Sequence, residues 1–144
     1  MSVVRSNHCV YDNHYHVVFP VKYRKALISE NVRQAILEIA EGIQDRYEIA
    51  FEKIGSDKDH LHILCSFHPR YAISQVVGTF KSIVAKQLFR QFPKLRQELW
   101  GGELWSDGYY VATVSERGNW QEVKNYVQRQ GKATGQTSQL TLWK

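Results

Sequence analysis

Apolar side chains recur at spacings of three and four residues in two stretches of the chain, and this spacing predicts two amphipathic helices. The first stretch covers residues 32–43 and follows Ser29 and Asn31, either of which is a suitable helix N-cap. The second covers residues 73–88, and we expect that helix to end before Pro93.

Runs of β-branched and aromatic residues predict strands around these helices. The predicted strands are residues 15–19, 49–54, 60–67 and 104–114, the last interrupted by Asp107-Gly108. Residues 55–59 carry turn-forming side chains, so we expect a hairpin between the second and third strands. A third helix is predicted from Asn119, because Glu122 completes a capping-box pattern and Gly131 suits the helix end.

The predicted order of elements, β-α-β-β-α-β followed by a helix, indicates an α+β protein of the ferredoxin-like or RRM-like type. Both long helices would cover one face of an antiparallel sheet. The other face would stay open, apart from whatever the last helix covers. We expect one domain over residues 1–133 and a polar C-terminal tail over residues 134–144.

Composition adds an expectation about partners and compartment. The 144 residues carry a formal net charge of +5, which favours an anionic partner, nucleic acid before membrane. Cys9 and Cys65 are too few for a zinc framework or a disulfide scaffold, and reduced thiols fit a cytoplasmic protein. No stretch reads as a signal peptide or approaches membrane-spanning length, so we expect no membrane partner.

Two histidine pairs are candidates for metal binding. His60 and His62 point to the same face of their predicted strand, about 7 Å apart, and could share one cation. His14 and His16 have the same spacing on the first strand, which is usually the neighbour of the third in this fold. We favour His60 and His62 because a core aliphatic separates them and an acidic turn precedes them. The alternative is that both are ordinary, partly exposed strand histidines.

Tyr126 and Gln130 lie four residues apart and therefore share one face of the last predicted helix. Alone, each of these residues is more often a solvated surface residue of an amphipathic helix than part of a functional site.

Taken together and in this order, these segments resemble the small single-tyrosine HUH transposases of bacterial and archaeal insertion sequences, the TnpA type. The resemblance runs from about Tyr15 to Gln130. The segments that carry it are His16-Val17-Val18-Phe19, Lys22-Tyr23-Arg24, Asp59-His60-Leu61-His62, Leu104-Trp105-Ser106-Asp107-Gly108-Tyr109-Tyr110, Val111-Ala112-Thr113-Val114 and Tyr126-Val127-Gln128-Arg129-Gln130.

The resemblance implies a catalytic Tyr126 and a metal site formed by His60, His62 and Gln130, with Mg²⁺ or Mn²⁺ as the metal. It implies cleavage of single-stranded DNA through a 5′-phosphotyrosine, followed by rejoining, in a homodimer that recognises DNA hairpin ends. The covalent link retains the phosphodiester energy, so no nucleotide cofactor is expected, and the chain has no glycine-rich phosphate loop. No base for Tyr126 is evident from the sequence.

Basic and aromatic side chains supply candidate DNA contacts. They are Lys22, Tyr23, Arg24, Lys25, Lys81, Lys86, Arg90 and Arg129. Tyr109 and Trp105 are further candidates for base stacking, with a core position as the alternative for Trp105.

Three other functions fit part of the pattern. A host-adopted relative acting on repeated palindromic DNA would keep the chemistry and change the substrate. A related HUH replication initiator or relaxase is disfavoured by the length of the chain. A passive single-stranded nucleic-acid-binding module would share the open sheet but would leave His60, His62, Tyr126 and Gln130 unexplained.

Overall fold

The structure is a computed structural model, and it describes residues 3–114. The helix predicted from Asn119, with Tyr126, Arg129 and Gln130, lies outside the described residues, as does the predicted tail. The elements, in chain order, are β1 (Val4–Ser6), β2 (Cys9–Tyr11), β3 (Tyr15–Pro20), a 3-10 turn (Lys22–Arg24), α1 (Glu30–Arg46), β4 (Ile49–Asp57), β5 (His60–Phe67), α2 (Ile73–Gln91), α3 (Pro93–Glu98) and β6 (Tyr110–Thr113).

Strands β3 to β6 form one antiparallel sheet in the order β4-β5-β3-β6. The first and third strands of the predicted βαββαβ unit, β3 and β5, are the central neighbours. This topology confirms the predicted α+β, ferredoxin-like fold. It also places His60 and His62 on an inner strand, where both edges are held by hydrogen bonds.

The main core lies between the sheet and helices α1 and α2. Val17 and Phe19 of β3 and Leu61 and Ile63 of β5 alternate toward the helices and are at most 1% exposed. Phe19 stacks on Phe80 of α2, with ring centroids 5.1 Å apart. The residues of β3 and β5 that alternate with these core side chains therefore point to the opposite face of the sheet.

Of the two candidate caps for α1, Ser29 is the one used. Its hydroxyl oxygen accepts a hydrogen bond from the Val32 amide, 3.3 Å away. The hydroxyl thus satisfies one of the amides that have no partner inside the first helical turn.

β4 is longer than predicted because residues 55–57 of the expected turn pair with β5, which leaves only Lys58 and Asp59 in the turn. The strand also contains a bulge. The register shifts between Phe51 and Lys53, which leaves Glu52 as the extra residue. The bulge lets Phe51 and Ile54 both pack against the core although they are an odd number of residues apart. The strand then continues through Gly55 to Asp57.

The strand predicted over residues 104–114 is wrong in its first half. Only Tyr110–Thr113 pairs continuously with β3, while Trp105 makes an isolated bridge to Val21. The interruption at Asp107-Gly108 coincides with a side-chain contact: the Lys81 ammonium donates to the carbonyl oxygen of Ser106, 2.8 Å away. The lysine thus holds this segment as a loop against α2.

Besides the 3-10 turn, three elements are additional to the prediction. β1 and β2 form a small separate antiparallel hairpin, and α3 follows directly on α2. Gly101 and Gly102 lie in the loop after α3 and adopt positive φ angles of 90° and 75°, which glycine adopts without steric cost. No helix within residues 3–114 is long and apolar enough to cross a membrane.

Candidate functional site

The face of the sheet opposite the helices carries three histidines, and we call it the histidine face. His60 and His62 of β5 lie on it, as does His16 of β3, because their strand neighbours point into the helix-covered core. Across the sheet, Val18 pairs with His62 on one side and with Tyr110 on the other. A histidine pair and a tyrosine therefore share this face.

The histidine face is not exposed at the histidines. His60 and His62 are each 1% exposed and His16 is 4% exposed. The His60 and His62 rings meet edge to face, with centroids 4.7 Å apart. The alternative of two partly exposed strand histidines therefore does not hold, and the pair needs another explanation.

Both rings of the pair offer nitrogens with no hydrogen-bond partner among residues 3–114: Nε2 of His60, and Nδ1 and Nε2 of His62. Burial, followed by the charges of His60 and His16, holds the pKa of His62 well below its usual range. Burial likewise lowers the pKa of His16 to about 4. His62 and His16 are therefore neutral at physiological pH, and the neutral imidazole is the form that binds a metal ion.

The remaining nitrogen of His60 is held by an acidic residue. Nδ1 of His60 lies 2.6 Å from Oδ1 of Asp59, whose side chain is fully buried. The other carboxylate oxygen accepts a hydrogen bond from the Arg24 guanidinium, 3.1 Å away. Burial tends to raise the pKa of Asp59, but the hydrogen bonds and charges of His60 and Arg24 lower it overall. Asp59 is thus a carboxylate.

The His60 and His62 nitrogens could supply some, but not all, of the ligands that a divalent cation needs. Two buried neighbouring imidazoles with uncommitted nitrogens are suitable ligands for a transition metal, whereas Mg²⁺ and Mn²⁺ prefer oxygen ligands, which the pair does not supply. Within residues 3–114, no group of three His, Cys, Asp or Glu side chains is arranged to hold a metal ion. A metal ion bound by the pair would therefore need ligands from outside residues 3–114 or of another chemical type.

The rival histidine, His14, has a different environment. Its Nδ1 lies 2.5 Å from Oε1 of Glu52, the bulge residue of β4, and its Nε2 lies 2.7 Å from Oδ1 of Asp12. Both ring nitrogens contact carboxylates, so neither is open to a metal ion. Its position indicates a structural link between β4 and the chain before β3.

Three of the predicted DNA-contacting cations are engaged within the protein. Lys22 pairs with Glu103 at 3.1 Å and with Asp107 at 3.5 Å. The Arg24 side chain is only 9% exposed and pairs with Asp59. Lys81 binds the carbonyls of residues 106–108. These contacts give the three side chains roles in holding loops, and they do not support the expected phosphate contact for Arg24.

The other predicted cations within the described residues, Lys25, Lys86 and Arg90, are all exposed. Lys25 follows the 3-10 turn, while Lys86 and Arg90 lie on α2 away from its buried stripe. Because α2 covers the face opposite the histidines, Lys86 and Arg90 lie across the sheet from His60 and His62. The structure does not bring them together with the histidine pair.

The aromatic candidates divide in the same way. Trp105 is 6% exposed and packs near Phe19, with ring centroids 5.8 Å apart, so its core alternative is the right one. Tyr109 packs partly against the core with Lys81 over its ring. Tyr23 is 54% exposed, although the Lys22 ammonium lies 5.7 Å from its ring centroid and its hydroxyl donates to the Trp100 carbonyl oxygen, so part of the ring is available for stacking.

Two residues at or next to the histidine face, Asp59 and Tyr110, receive no functional role from the sequence. The sequence presents Asp59 only as part of an acidic turn, and its partner Arg24 is too far away along the chain for a local pattern to connect them. Tyr110 belongs to a motif but receives no role from it. Tyr109 packs toward the core, and neighbouring residues of a strand point to opposite faces, so the sequence could have placed Tyr110 on the histidine face.

Comparison with known proteins gives this geometry a family context. The family model described as "Transposase IS200 like" matches residues 9–130, which is most of the chain. The chain belongs to the IS200-like transposase family. The expected resemblance to TnpA-type transposases is thereby confirmed, and membership of this family implies DNA strand transferase activity.

Individual relatives agree with that assignment. The chain is 32% identical over 121 residues to the ISDra2 transposase TnpA of Deinococcus radiodurans, covering 84% of this chain and 86% of that protein. It is 27% identical over 128 residues to the transposase for insertion sequence element IS200 of Salmonella typhimurium, covering 89% of this chain and 83% of the relative.

Two solved structures resemble the fold of this IS200-like family member. A crystal structure described as a transposase of Deinococcus radiodurans superposes with a TM-score of 0.77 at 28% identity, over 88% of this chain and 97% of the other. A REP-associated tyrosine transposase bound to a REP hairpin gives a TM-score of 0.52 at 12% identity, over 94% and 75% of the two chains. The second likeness concerns the fold alone.

Proposed function

We propose that this IS200-like family member cleaves and rejoins single-stranded DNA through a 5′-phosphotyrosine on Tyr126, with a divalent metal held by His60, His62 and Gln130. The observation that carries the proposal is the buried histidine pair, whose ring centroids lie 4.7 Å apart. Nε2 of His60 and both ring nitrogens of His62 have no hydrogen-bond partner among residues 3–114. Such burial of polar atoms is unfavourable unless a ligand completes their bonding.

The chemistry divides between the sheet and the segment beyond it. A bound Mg²⁺ or Mn²⁺ ion would polarise the scissile phosphate and neutralise its charge. The Tyr126 hydroxyl gives up its proton as its oxygen attacks phosphorus, the bond from phosphorus to the 3′ oxygen breaks, and the 3′ oxygen takes up one proton and leaves as a hydroxyl. The 5′ end of the DNA remains on Tyr126. Tyrosine has an ordinary pKa of about 10, so its activation depends on this charge-neutralised setting.

Rejoining reverses these steps. The 3′-hydroxyl of another strand attacks the phosphotyrosine phosphorus, the bond to the Tyr126 oxygen breaks, and the tyrosine recovers a proton. Bond energy is conserved throughout, so no nucleotide cofactor is required. Because one tyrosine holds one DNA end, we propose that a homodimer handles the two ends of an element.

We propose that the DNA substrate is single-stranded and carries hairpin ends. The net charge of +5 supports an anionic partner, and the exposed Tyr23 ring supports stacking on an unpaired base. The fold neighbour bound to a REP hairpin makes a hairpin substrate a reasonable first probe. If the protein is instead a host-adopted relative, it should cleave repeated palindromic DNA and should not cleave the flanks of its own gene.

Covalent capture tests the proposal. The full chain is mixed with labelled single-stranded DNA from the flanks of its own gene and Mn²⁺, and a denaturing gel is examined for a protein–DNA adduct. We expect the adduct to be lost in Tyr126→Phe and in His62→Ala. Tyr110→Phe, which alters a tyrosine on the histidine face, is the matched control and should retain the adduct.

Other outcomes would overturn the proposal in identifiable ways. Tight DNA binding without an adduct would indicate the passive single-stranded nucleic-acid-binding module. An adduct that survives Tyr126→Phe but is lost in Tyr110→Phe would transfer the nucleophile role to Tyr110.

A further inference from the structure

We propose that Asp59, held in place by Arg24, is a positioning residue that fixes the tautomer of His60 and so presents the Nε2 lone pair of His60 to the metal. This inference rests on the proposed function of the histidine pair. It gives a specific role to two side chains that form a buried unit directly behind that pair.

The Asp59 carboxylate is fully buried and shared between two donors. Oδ1 lies 2.6 Å from Nδ1 of His60, and Oδ2 accepts from the Arg24 guanidinium at 3.1 Å. A carboxylate only accepts hydrogen bonds, so Nδ1 of His60 must carry the proton. In neutral His60 the lone pair is then on Nε2, the atom that has no hydrogen-bond partner among residues 3–114.

An unusual backbone conformation delivers Arg24 to Asp59. Tyr23 and Arg24 have positive φ angles of 60° and 53°, a conformation that non-glycine residues rarely adopt. The same segment holds the turn before β5 through two backbone bonds: the amides of Val21 and Ile28 each donate across 2.9 Å, to the carbonyls of Asp59 and Lys58. The segment of residues 21–28 thus holds both the side chain and the backbone of Asp59 in place. Consecutive rare conformations persist where surrounding contacts impose them, commonly next to functional sites.

A neutral amide in place of the carboxylate would reverse the tautomer. Arg24 can only donate, so in an Asp59→Asn variant the oxygen of the new amide would turn toward the guanidinium. The NH₂ group of that amide would then face His60 and donate to Nδ1. His60 would be forced into the other tautomer, with its proton on Nε2, and could not offer that atom to a metal.

Two readouts on the full chain test this. Long-range proton–nitrogen NMR of the metal-free protein reports which nitrogen of His60 is protonated, and calorimetric titration with Mn²⁺ alone reports affinity without DNA. In wild type we expect the proton on Nδ1. In Asp59→Asn we expect the proton on Nε2 and a loss of Mn²⁺ affinity of about 10- to 100-fold, the range usual for such supporting partners of metal ligands.

A rescue variant separates positioning from simple stabilisation. Adding Arg24→Met to Asp59→Asn removes the donor that fixes the amide, so the amide oxygen can turn to His60 and restore the proton to Nδ1. We expect at least part of the lost Mn²⁺ affinity to return, although the double variant has lost more native contacts. If Asp59 and Arg24 only stabilised the fold, the double variant would bind Mn²⁺ more weakly than Asp59→Asn alone.

The matched control is Glu52→Gln, which alters a carboxylate bonded to a histidine of the rival pair, His14. It should leave both readouts unchanged. Arg24→Met alone keeps Asp59 on Nδ1 of His60, so it should retain the wild-type tautomer with weaker Mn²⁺ binding. That variant tests the idea even if Asp59→Asn does not fold.

Failure of this inference is distinguishable from failure of the proposed function. An unchanged His60 tautomer and unchanged Mn²⁺ affinity in Asp59→Asn would overturn the positioning role, while loss of binding in His62→Ala would still support the metal site. A tautomer change in Asp59→Asn with no Mn²⁺ binding by wild type would uphold the control of the tautomer and overturn the metal-dependent function.

Discussion

Burial of His16 should make the metal-free protein sensitive to acid. His16 is 4% exposed on the histidine face, and burial lowers its pKa to about 4, compared with 6.5 for a free histidine. Between these pH values the unfolded chain binds a proton at this position that the folded chain does not. Stability is therefore full above pH 6.5 and falls as the pH decreases toward 4.

The size of this effect follows from the two pKa values. Each pH unit between about 6.5 and about 4 changes the free energy of unfolding by about 1.4 kcal/mol, which gives at most about 3 kcal/mol for His16. The lowered pKa of His62 adds to the loss in the same direction. Below about pH 4 both states of His16 are protonated and its contribution stops changing.

Urea unfolding at a series of pH values from about 4 to about 8, with EDTA present, measures this directly. We expect His16→Gln to lose less stability than wild type on acidification, by up to about 3 kcal/mol across the series. His8→Gln, at an exposed position, is the control and should follow wild type. Parallel curves for wild type and His16→Gln would refute the reasoning, because they would mean that His16 titrates alike in both states.

Three further predictions test other parts of the structure. Tyr23→Ala should weaken binding of single-stranded DNA by about 1–3 kcal/mol in fluorescence anisotropy, and an unchanged affinity would remove the stacking role. Burial raises the pKa of Cys65 to about 12, so in the native protein iodoacetamide should modify Cys9 and spare Cys65; equal modification by mass spectrometry would contradict the buried position. Phe80→Ala should lower the free energy of unfolding by about 3–5 kcal/mol, and a loss below about 1 kcal/mol would contradict its stacking on Phe19.

The parts of the fold that the sequence predicts are those with a long, regular pattern. The two apolar stripes specify α1 and α2, and alternation along residues 60–67 places His60 and His62 on one face with Leu61 and Ile63 on the other. These predictions succeed because a single period, repeated over many residues, decides which side chains are buried.

The parts that it does not predict depend on short or distant interactions. β1 and β2 have three residues each, too few to display a period. Pro93 marks the end of α2 as predicted, yet it also stands at the first turn of α3, where a proline is favoured. The first half of the strand expected over residues 104–114 is replaced by a loop whose carbonyls bind Lys81 of α2, a contact that no local pattern contains.

The same distinction explains what could be predicted of the candidate site. His60 and His62 are two residues apart on one strand, so local geometry alone relates them. Asp59 and Arg24 are separated by an entire helix and strand, and only the folded chain brings them within 3.1 Å. The structure therefore adds to the histidine pair the groups that orient it. A metal ligand needs a defined lone-pair direction as well as a position, and a central strand supplies the position while Asp59 supplies the direction.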